Sequence, residues 1–214
     1  MLLYPETALA GTPHPPPVAS GTSVREALRA ASRPQHQQLE DLLGLTGALT
    51  PGRYHAVLQG FAGFLDVWEP RVAAALPQRW QDAFARRRRG HLLHHDLQRL
   101  GVTPDSARQQ QAAEAAARVP LDRLSQVFGS LYVLEGSTLG ARVIVPHLQR
   151  QLNLTPETGA AYFHGHGDAS GALWREFCMA LEHEVGPGPV DRAAACTAAC
   201  ATFAALITVF SQLP

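Results

Sequence analysis

Lysine is absent from this 214-residue chain, so all 18 of its basic residues are arginines. Aspartate and glutamate together also number 18, which leaves no net charge at neutral pH when histidine is uncharged. A chain without net positive charge lacks the long-range field that attracts nucleic acid or an anionic membrane surface. We therefore expect neither as a partner, and any anion-binding site here must use the guanidinium group.

Cysteine is also scarce, and the three cysteines include no Cys-x-x-Cys pair. An odd number cannot pair completely within one chain, and Cys196 and Cys200 stand one helical turn apart. We interpret these two as small core residues in a reducing compartment. No apolar stretch approaches 20 residues, and no basic segment followed by an apolar run opens the chain. These features predict a soluble, cytoplasmic protein.

Residues 1–21 differ in composition from the rest of the chain. They hold five prolines among scattered glycine, serine and threonine, and so cannot bury enough apolar surface to offset ordering. We predict a disordered tail over this segment. Residues 22–214 show helical periodicity without strand-like alternation. With 46% hydrophobic residues overall, the chain can build one full core, and we predict a single all-α domain over 22–214.

The stretch from Ser23 to Leu43 predicts the first helix. Ser23 and Glu26 form a capping-box pattern at its start. Pro34 conflicts with a continuous helix, because proline lacks an N–H group and crowds the carbonyl four residues earlier. Two alternatives stay open: a helix that kinks at Pro34, or a second helix that restarts at Ser32.

Three side chains with complementary chemistry share one edge of this helix's apolar stripe. Arg29 precedes His36 by about two turns, and Glu40 follows it by one turn. A histidine at the edge of a buried face is commonly a hydrogen-bonded core residue. As a neutral imidazole it can also ligate haem iron, with a carboxylate nearby to orient the ring and a cation to meet a propionate. That second function needs a facing helix that lets a flat macrocycle approach its backbone.

The sequence LYVLEGSTLGARVIVPHL, within the stretch Leu121 to Leu152, has the features of such a helix. Gly136 and Gly140 are one turn apart, and each costs about 1 kcal/mol in a helix interior relative to alanine. Paired glycines on one face permit either close helix packing or the close approach of a ligand. Tyr132 and Ser137 flank this face and supply hydroxyl groups.

Two polar clusters in the middle of the chain have less specific patterns. The run from Arg86 to Arg89 predicts a solvated helix flank, in preference to a docking patch for an acidic partner. His91, His94 and His95 have the i, i+3, i+4 spacing of metal ligands, but no carboxylate or cysteine is spaced to complete the shell. We assign a function to neither cluster.

Helix boundaries can be predicted at several other positions. Thr50-Pro51 and Thr103-Pro104 each match an N-cap followed by proline at the first helical position. The alanine-rich run after the second pair predicts a surface helix. Residues 153–171, rich in glycine and histidine, predict a loop.

Taken together, these stretches resemble the haem oxygenase family, in particular its soluble bacterial branch, with the phytochrome-associated type as a candidate. The segment LRAASRPQHQQLE is similar to the family's proximal helix, and YVLEGSTLGA to the bacterial distal-helix motif. The C-terminal FAALITVF, with aromatic residues seven apart, looks like the closing helix. The resemblance extends from Leu28 to Phe210.

The resemblance implies roles for the matched residues. His36 would be the proximal ligand of the haem iron, and Glu40 would support it. Arg29 and Tyr132 would contact the propionates. Gly136, Ser137 and Gly140 would form the distal catalytic platform. Phe203 and Phe210 would line the haem. Ser137 stands where eukaryotic members carry an aspartate, so the resemblance does not define how distal water is organised.

The resemblance also implies a helical bundle with haem sandwiched between proximal and distal helices. Haem would be both cofactor and substrate, and O₂ with electrons from a ferredoxin or an NAD(P)H-dependent reductase would cleave it to biliverdin, CO and ferrous iron. A phytochrome is a candidate acceptor of the biliverdin.

Two alternatives to this function stay open. One is a haem-free helical protein of similar architecture. The other is a non-catalytic haem carrier or sensor, which would be expected to provide a sixth ligand. His147 is a candidate for that ligand, but it lies about 10 Å along the helix axis from Gly140.

Overall fold

The computed structural model describes residues 22–213, and every regular element within them is helical. The predicted tail, residues 1–21, lies outside the described residues. The α-helices are α1 Val24–Leu43, α2 Pro51–Ala75, α3 Gln78–Ala85, α4 Gly90–Arg99, α5 Ser106–Ala117, α6 Leu124–Ser137, α7 Ala141–Leu152, α8 Ala161–His164, α9 Ser170–Val185 and α10 Pro189–Phe210. The predicted all-α class is confirmed for this part of the chain.

Helix α1 is continuous through Pro34. The Ser23 hydroxyl accepts a hydrogen bond from the Glu26 N–H at 3.2 Å, and the Glu26 carboxylate accepts one from the Ser23 N–H at 3.0 Å, which confirms the capping box. The helix does not restart at Ser32, whose hydroxyl donates to the Leu28 carbonyl at 2.7 Å. The predicted ligand surface therefore stays on one uninterrupted helix.

Helix α10 is central to the core and packs mainly against α1, α5 and α6. It is long and apolar enough to cross a membrane by length and composition, with a mean hydropathy of 2.0 in its most apolar window, so the expectation of no such stretch was wrong. Of that window, 44% is buried inside the protein. Contact with three neighbouring helices accounts for the apolar sequence, as in other core helices.

Helix α5 is a packing helix, which corrects the prediction of a surface element. Three of its alanines are buried, and it packs against α2. A Cβ atom added to Gly63 of α2 would lie 2.7 Å from the carbonyl oxygen of Gln109. Small residues on both helices therefore permit a close approach of their backbones.

The two predicted proline-associated helix starts have different outcomes. Pro51 is the first residue of α2, and the Thr50 hydroxyl accepts from the Arg53 N–H at 3.2 Å, as predicted. Helix α5 instead begins at Ser106, because the side chain of Asp105 caps its first turn. The predicted boundary was two residues too early.

The segment between α7 and α9 is held against the core and is not the predicted loop. The Asp96 carboxylate is buried and accepts hydrogen bonds from the N–H groups of Ala161 at 2.9 Å and Tyr162 at 2.8 Å. Burial raises the pKa of Asp96, and these two bonds oppose that rise. The Tyr54 hydroxyl donates to the Gly159 carbonyl at 2.7 Å. Contacts from α2 and α4 thereby fix the position of α8.

Candidate active site

A cavity of about 640 Å³ lies between α1 and the junction of α6 with α7. This volume falls within the roughly 300–1,000 Å³ typical of cofactor and small-molecule sites. We call the α1 side the proximal wall and the side formed by residues 132–144 the distal wall. Aromatic side chains supply much of the cavity lining, namely Phe61, Tyr132, Tyr162, Phe163, Trp174 and Phe203.

The imidazole of His36 lies on the proximal wall with 57% of its side chain exposed. The ring of Phe203 meets it edge-on, with 5.6 Å between centroids and an interplanar angle of 82°. Glu40 Oε1 is 3.7 Å from His36 Nε2, which is longer than a hydrogen bond. The carboxylate therefore stands beside the imidazole without bonding it, and the accessible ring retains its capacity to bind a ligand.

Cationic side chains border the cavity on the exposed part of the proximal wall. Arg29 lines the cavity as predicted, and Arg33, one turn further along α1, joins it. The i, i+4 spacing of these arginines was visible in the sequence and would have identified Arg33. Tyr132 also lines the cavity, and burial raises its pKa while the positive charge of Arg29 opposes that rise.

The distal wall is formed where the α-helical geometry breaks. Helix α6 ends at Ser137, a 3₁₀ turn covers Thr138–Gly140, and α7 begins at the next residue. Gly136 and Gly140 both line the cavity, together with Ser137. The predicted glycine pair thus lies at a helix junction and not within one continuous helix.

These two glycines are not required for helix–helix packing. A Cβ atom added to Gly136 would meet the ring of Trp174 at 3.6 Å, an ordinary contact distance. At Gly140 the nearest atom would be the terminal methyl group of Ile144, at 3.1 Å. The space beside both glycines therefore belongs to the cavity, which favours the ligand interpretation over close helix packing.

The arginine run was wrongly predicted to be uniformly solvated. Arg87 and Arg89 are buried, whereas Arg86 and Arg88 are exposed. Arg87 Nη1 donates to Glu135 Oε2 at 2.8 Å, and this carboxylate is itself buried. Burial raises the pKa of Glu135, and the nearby positive charges of Arg87 and then Arg89 oppose that rise. Buried charges with buried partners therefore lie directly behind the distal wall.

Arg89 reaches the cavity itself. Its Nη2 donates to the Leu134 carbonyl at 2.7 Å and to the Ser137 hydroxyl at 3.1 Å. Its guanidinium carbon lies 5.0 Å from the ring centroid of Tyr162, within the range of a cation–π contact. Neither Arg89 nor Tyr162 was predicted as a site residue, because the segments that carry them were expected to be solvated or irregular.

Phe210 does not line the cavity, in contrast to the sequence prediction. It is buried in the core, with its ring centroid 4.7 Å from that of Phe61. Phe203 and Phe210 share one face of α10, but seven residues separate them by about 10 Å along the axis. Only Phe203 lies at the level of the cavity.

The other histidines proposed as ligands have different partners. Among residues 22–213, no cluster of three or more histidine, cysteine or carboxylate side chains is arranged to hold a metal ion. His94 Nε2 lies 2.8 Å from Asp66 Oδ1. His147 Nε2 lies 2.7 Å from the Gly47 carbonyl oxygen and is not part of the cavity lining. The geometry therefore supports neither a metal site at residues 91–95 nor a sixth ligand from His147.

The family model described as heme oxygenase matches residues 22–212. The chain belongs to the haem oxygenase family. A curated protein named heme oxygenase, from Xanthomonas campestris pv. campestris (strain 8004), is 35% identical to this family member over 153 residues, which cover 71% of this chain and 81% of the relative. The predicted family and the predicted haem oxygenase class of enzyme are confirmed.

Solved haem oxygenase structures have the same fold as this family member. The enzyme from Leptospira interrogans aligns with a TM-score of 0.73 at 17% identity, over 90% of this chain and all of that one. Heme oxygenase-1 from the cyanobacterium Synechocystis sp. PCC6803, solved in complex with heme, aligns with a TM-score of 0.71 at 18% identity, over 90% and 92% of the two chains. At these identities the likeness establishes the fold and not the role of each residue.

Proposed function

We propose that this haem oxygenase family member binds haem in the cavity of about 640 Å³, with His36 as the axial ligand, and converts it to biliverdin, CO and ferrous iron. One observation carries the proposal: the imidazole of His36 and the two glycines at the α6–α7 junction line the same cavity. The imidazole on one wall would hold the iron of a flat macrocycle, and the free space beside the backbone on the other wall would leave room for O₂.

The proximal wall has the groups needed to hold the macrocycle. The Phe203 ring restricts the orientation of the imidazole, and the Glu40 carboxylate stabilises positive charge that develops on the ring. Arg29 and Arg33 provide guanidinium groups at the exposed edge, where propionates can be bound by charge-assisted hydrogen bonds. From the facing distal wall, Tyr132 supplies a hydroxyl group near Arg29.

The cavity has few alternative ligands for the iron, which favours an enzyme over a carrier or sensor with two axial ligands. Among the described residues that line the cavity, His36 is the one histidine, and neither cysteine nor methionine is present. Tyr132 and Tyr162 also line it, but burial raises the pKa of both phenols and so disfavours the phenolate that would ligate iron.

Haem itself would supply the iron at which O₂ is reduced and the ring carbons that are oxidised. The chain would bind the macrocycle edge, exclude bulk water with aromatic side chains and keep space beside Gly136 and Gly140. Electrons would come from a ferredoxin or an NAD(P)H-dependent reductase, as the family implies. We further propose that the enzyme is bacterial and cytoplasmic, and its three free cysteines support a reducing compartment. A phytochrome is a candidate acceptor of the biliverdin.

Replacement of the proposed axial ligand tests this function. His36→Ala should lose the parent's ferric absorption spectrum and its biliverdin formation, and added imidazole should partly restore both. His55→Ala and His183→Ala are matched controls, because neither histidine lines the cavity. If His36→Ala retained the parent spectrum and turnover, while one of the controls lost them, the proximal assignment would be wrong.

A further inference from the structure

The guanidinium group of Arg89 is a buried cation at the point where α6 ends. The residue is only 6% exposed, although its side chain lines the cavity. The Leu134 carbonyl and the Ser137 hydroxyl both accept from its Nη2, and the Tyr162 ring lies beside it. Arg89 therefore connects the end of α6 to α8 through one side chain.

The hydrogen bonds at this junction determine which groups remain free to act on a ligand. The Ser137 hydroxyl donates its one proton to the Leu134 carbonyl at 2.7 Å and accepts from Arg89 at 3.1 Å. A hydroxyl has a single proton, so Ser137 has none left to donate into the cavity. An arginine has five N–H groups, and the two hydrogens on Nη2 account for two of them. Among residues 22–213, the hydrogen bonds that the Arg89 side chain donates both come from Nη2, so Nε and Nη1 have no acceptor there.

The positive charge of Arg89 also lacks a direct ion pair among residues 22–213. Its neighbours Arg87 and Arg88 pair with Glu135 and Glu69, whereas Glu69 meets Arg89 only through the backbone N–H at 2.8 Å. Glu135 is close enough for Arg89 to influence its pKa, but it makes no salt bridge to Arg89. A buried charge without a bonded counter-charge is costly and is stabilised by any negative charge placed beside it.

We infer that Arg89, which is bonded to the distal wall, is a specificity-determining residue of the cavity: it makes the cavity favour a small anion, or an oxygen atom that gains negative charge, over a neutral ligand. It does so with N–H groups that Ser137 cannot replace, and it also fixes the geometry of the helix junction. The inference rests on the proposed binding of haem in this cavity. It assigns the distal hydrogen-bond donor to a residue outside the α6–α7 motif.

The test compares an anionic and a neutral ligand on the haem-loaded protein. In Arg89→Met, azide affinity of the ferric form should fall by roughly tenfold or more, while CO affinity of the ferrous form stays within about threefold. Arg89→Lys should recover part of the azide affinity because it keeps the charge. Arg86→Met is the control, since Arg86 is an exposed neighbour that does not line the cavity and, among residues 22–213, makes no ion pair. Equal losses for both ligands, or no loss for azide, would overturn the inference.

Ser137→Ala distinguishes the two candidate donors and also serves if Arg89→Met does not fold. Its azide affinity should stay within about threefold of the parent, because its proton is already bonded to Leu134. A loss at least as large as that expected for Arg89→Met would make Ser137 the donor and contradict our assignment.

Two measurements separate failure of this inference from failure of the proposed function. A haemin titration of the parent tests haem binding alone. Thermal unfolding of the haem-free protein tests the junction alone: Arg89→Met should unfold at a lower temperature than Arg86→Met, because it loses the hydrogen bonds to Leu134 and Ser137 and the contact with the Tyr162 ring. Equal unfolding temperatures for these two variants would show that Arg89 does not hold the junction, whatever the titration gives.

Discussion

Two glycines of α6, at different levels along the helix axis, have different roles. A Cβ atom added to Gly129 would overlap the carbonyl group of Ala195, so this glycine lets α10 approach the helix backbone. Seven residues later, at nearly the same angle around the axis, an atom added to Gly136 would meet only the Trp174 ring at 3.6 Å. The same residue type on one helical face therefore serves core packing at one level and borders a ligand cavity at another.

The largest effect is expected beside the cavity, at Gly140, which lines it together with Gly136. Gly140→Leu should abolish biliverdin formation, because a branched side chain would fill the space kept beside the distal backbone, while the helical content stays that of the parent. Val143→Leu is the matched control, since Val143 is 61% exposed and does not line the cavity. Parent-like turnover of Gly140→Leu would show that the distal assignment is wrong.

Where α6 packs against α10, Gly129→Ala should destabilise the fold. The new methyl group overlaps backbone atoms of α10, which cannot rotate away as a side chain can, so we expect a loss of about 3 kcal/mol, the upper end of the usual cost of overpacking, in the free energy of unfolding. Denaturant titration followed by circular dichroism measures it. An unchanged denaturation midpoint would show that Gly129 is not needed for the contact with α10, and would contradict the distinction between Gly129 and Gly136.

The smallest effect is expected for Gly136→Ala in the haem-free protein. The methyl group fits, and alanine favours the helix more than glycine does. The free energy of unfolding should therefore rise, by at most about 1 kcal/mol because the residue is near the helix end. Haem affinity should fall in the same variant, because the methyl group occupies cavity space. Loss of stability with unchanged haem affinity would show that Gly136, like Gly129, serves helix packing.

The proximal wall could be predicted from sequence because its geometry is local. Arg29, His36 and Glu40 lie on one helix, so their spacing alone places them on one surface. Continuity through Pro34 could not be predicted, because tertiary packing of the whole helix opposes the free-energy cost of one proline and this packing is not visible in the local sequence.

The distal wall could be predicted only in part because its contacts are distant in sequence. Arg87 is buried by Glu135, 48 residues away, and nothing within the arginine run identifies which members have such partners. Tyr162 enters the core because Asp96, 66 residues earlier, accepts from its N–H group. Local composition around Tyr162 indicates only a turn.

The most direct test of the central claim is conversion of haemin by the purified protein with ascorbate, O₂ and added catalase. The proposed function predicts loss of the haem absorbance with formation of biliverdin, CO and ferrous iron at a rate that catalase does not reduce, because free peroxide is not the oxidant. Cycling of the haem without loss of absorbance, or degradation that catalase stops, would contradict it and favour a carrier or sensor.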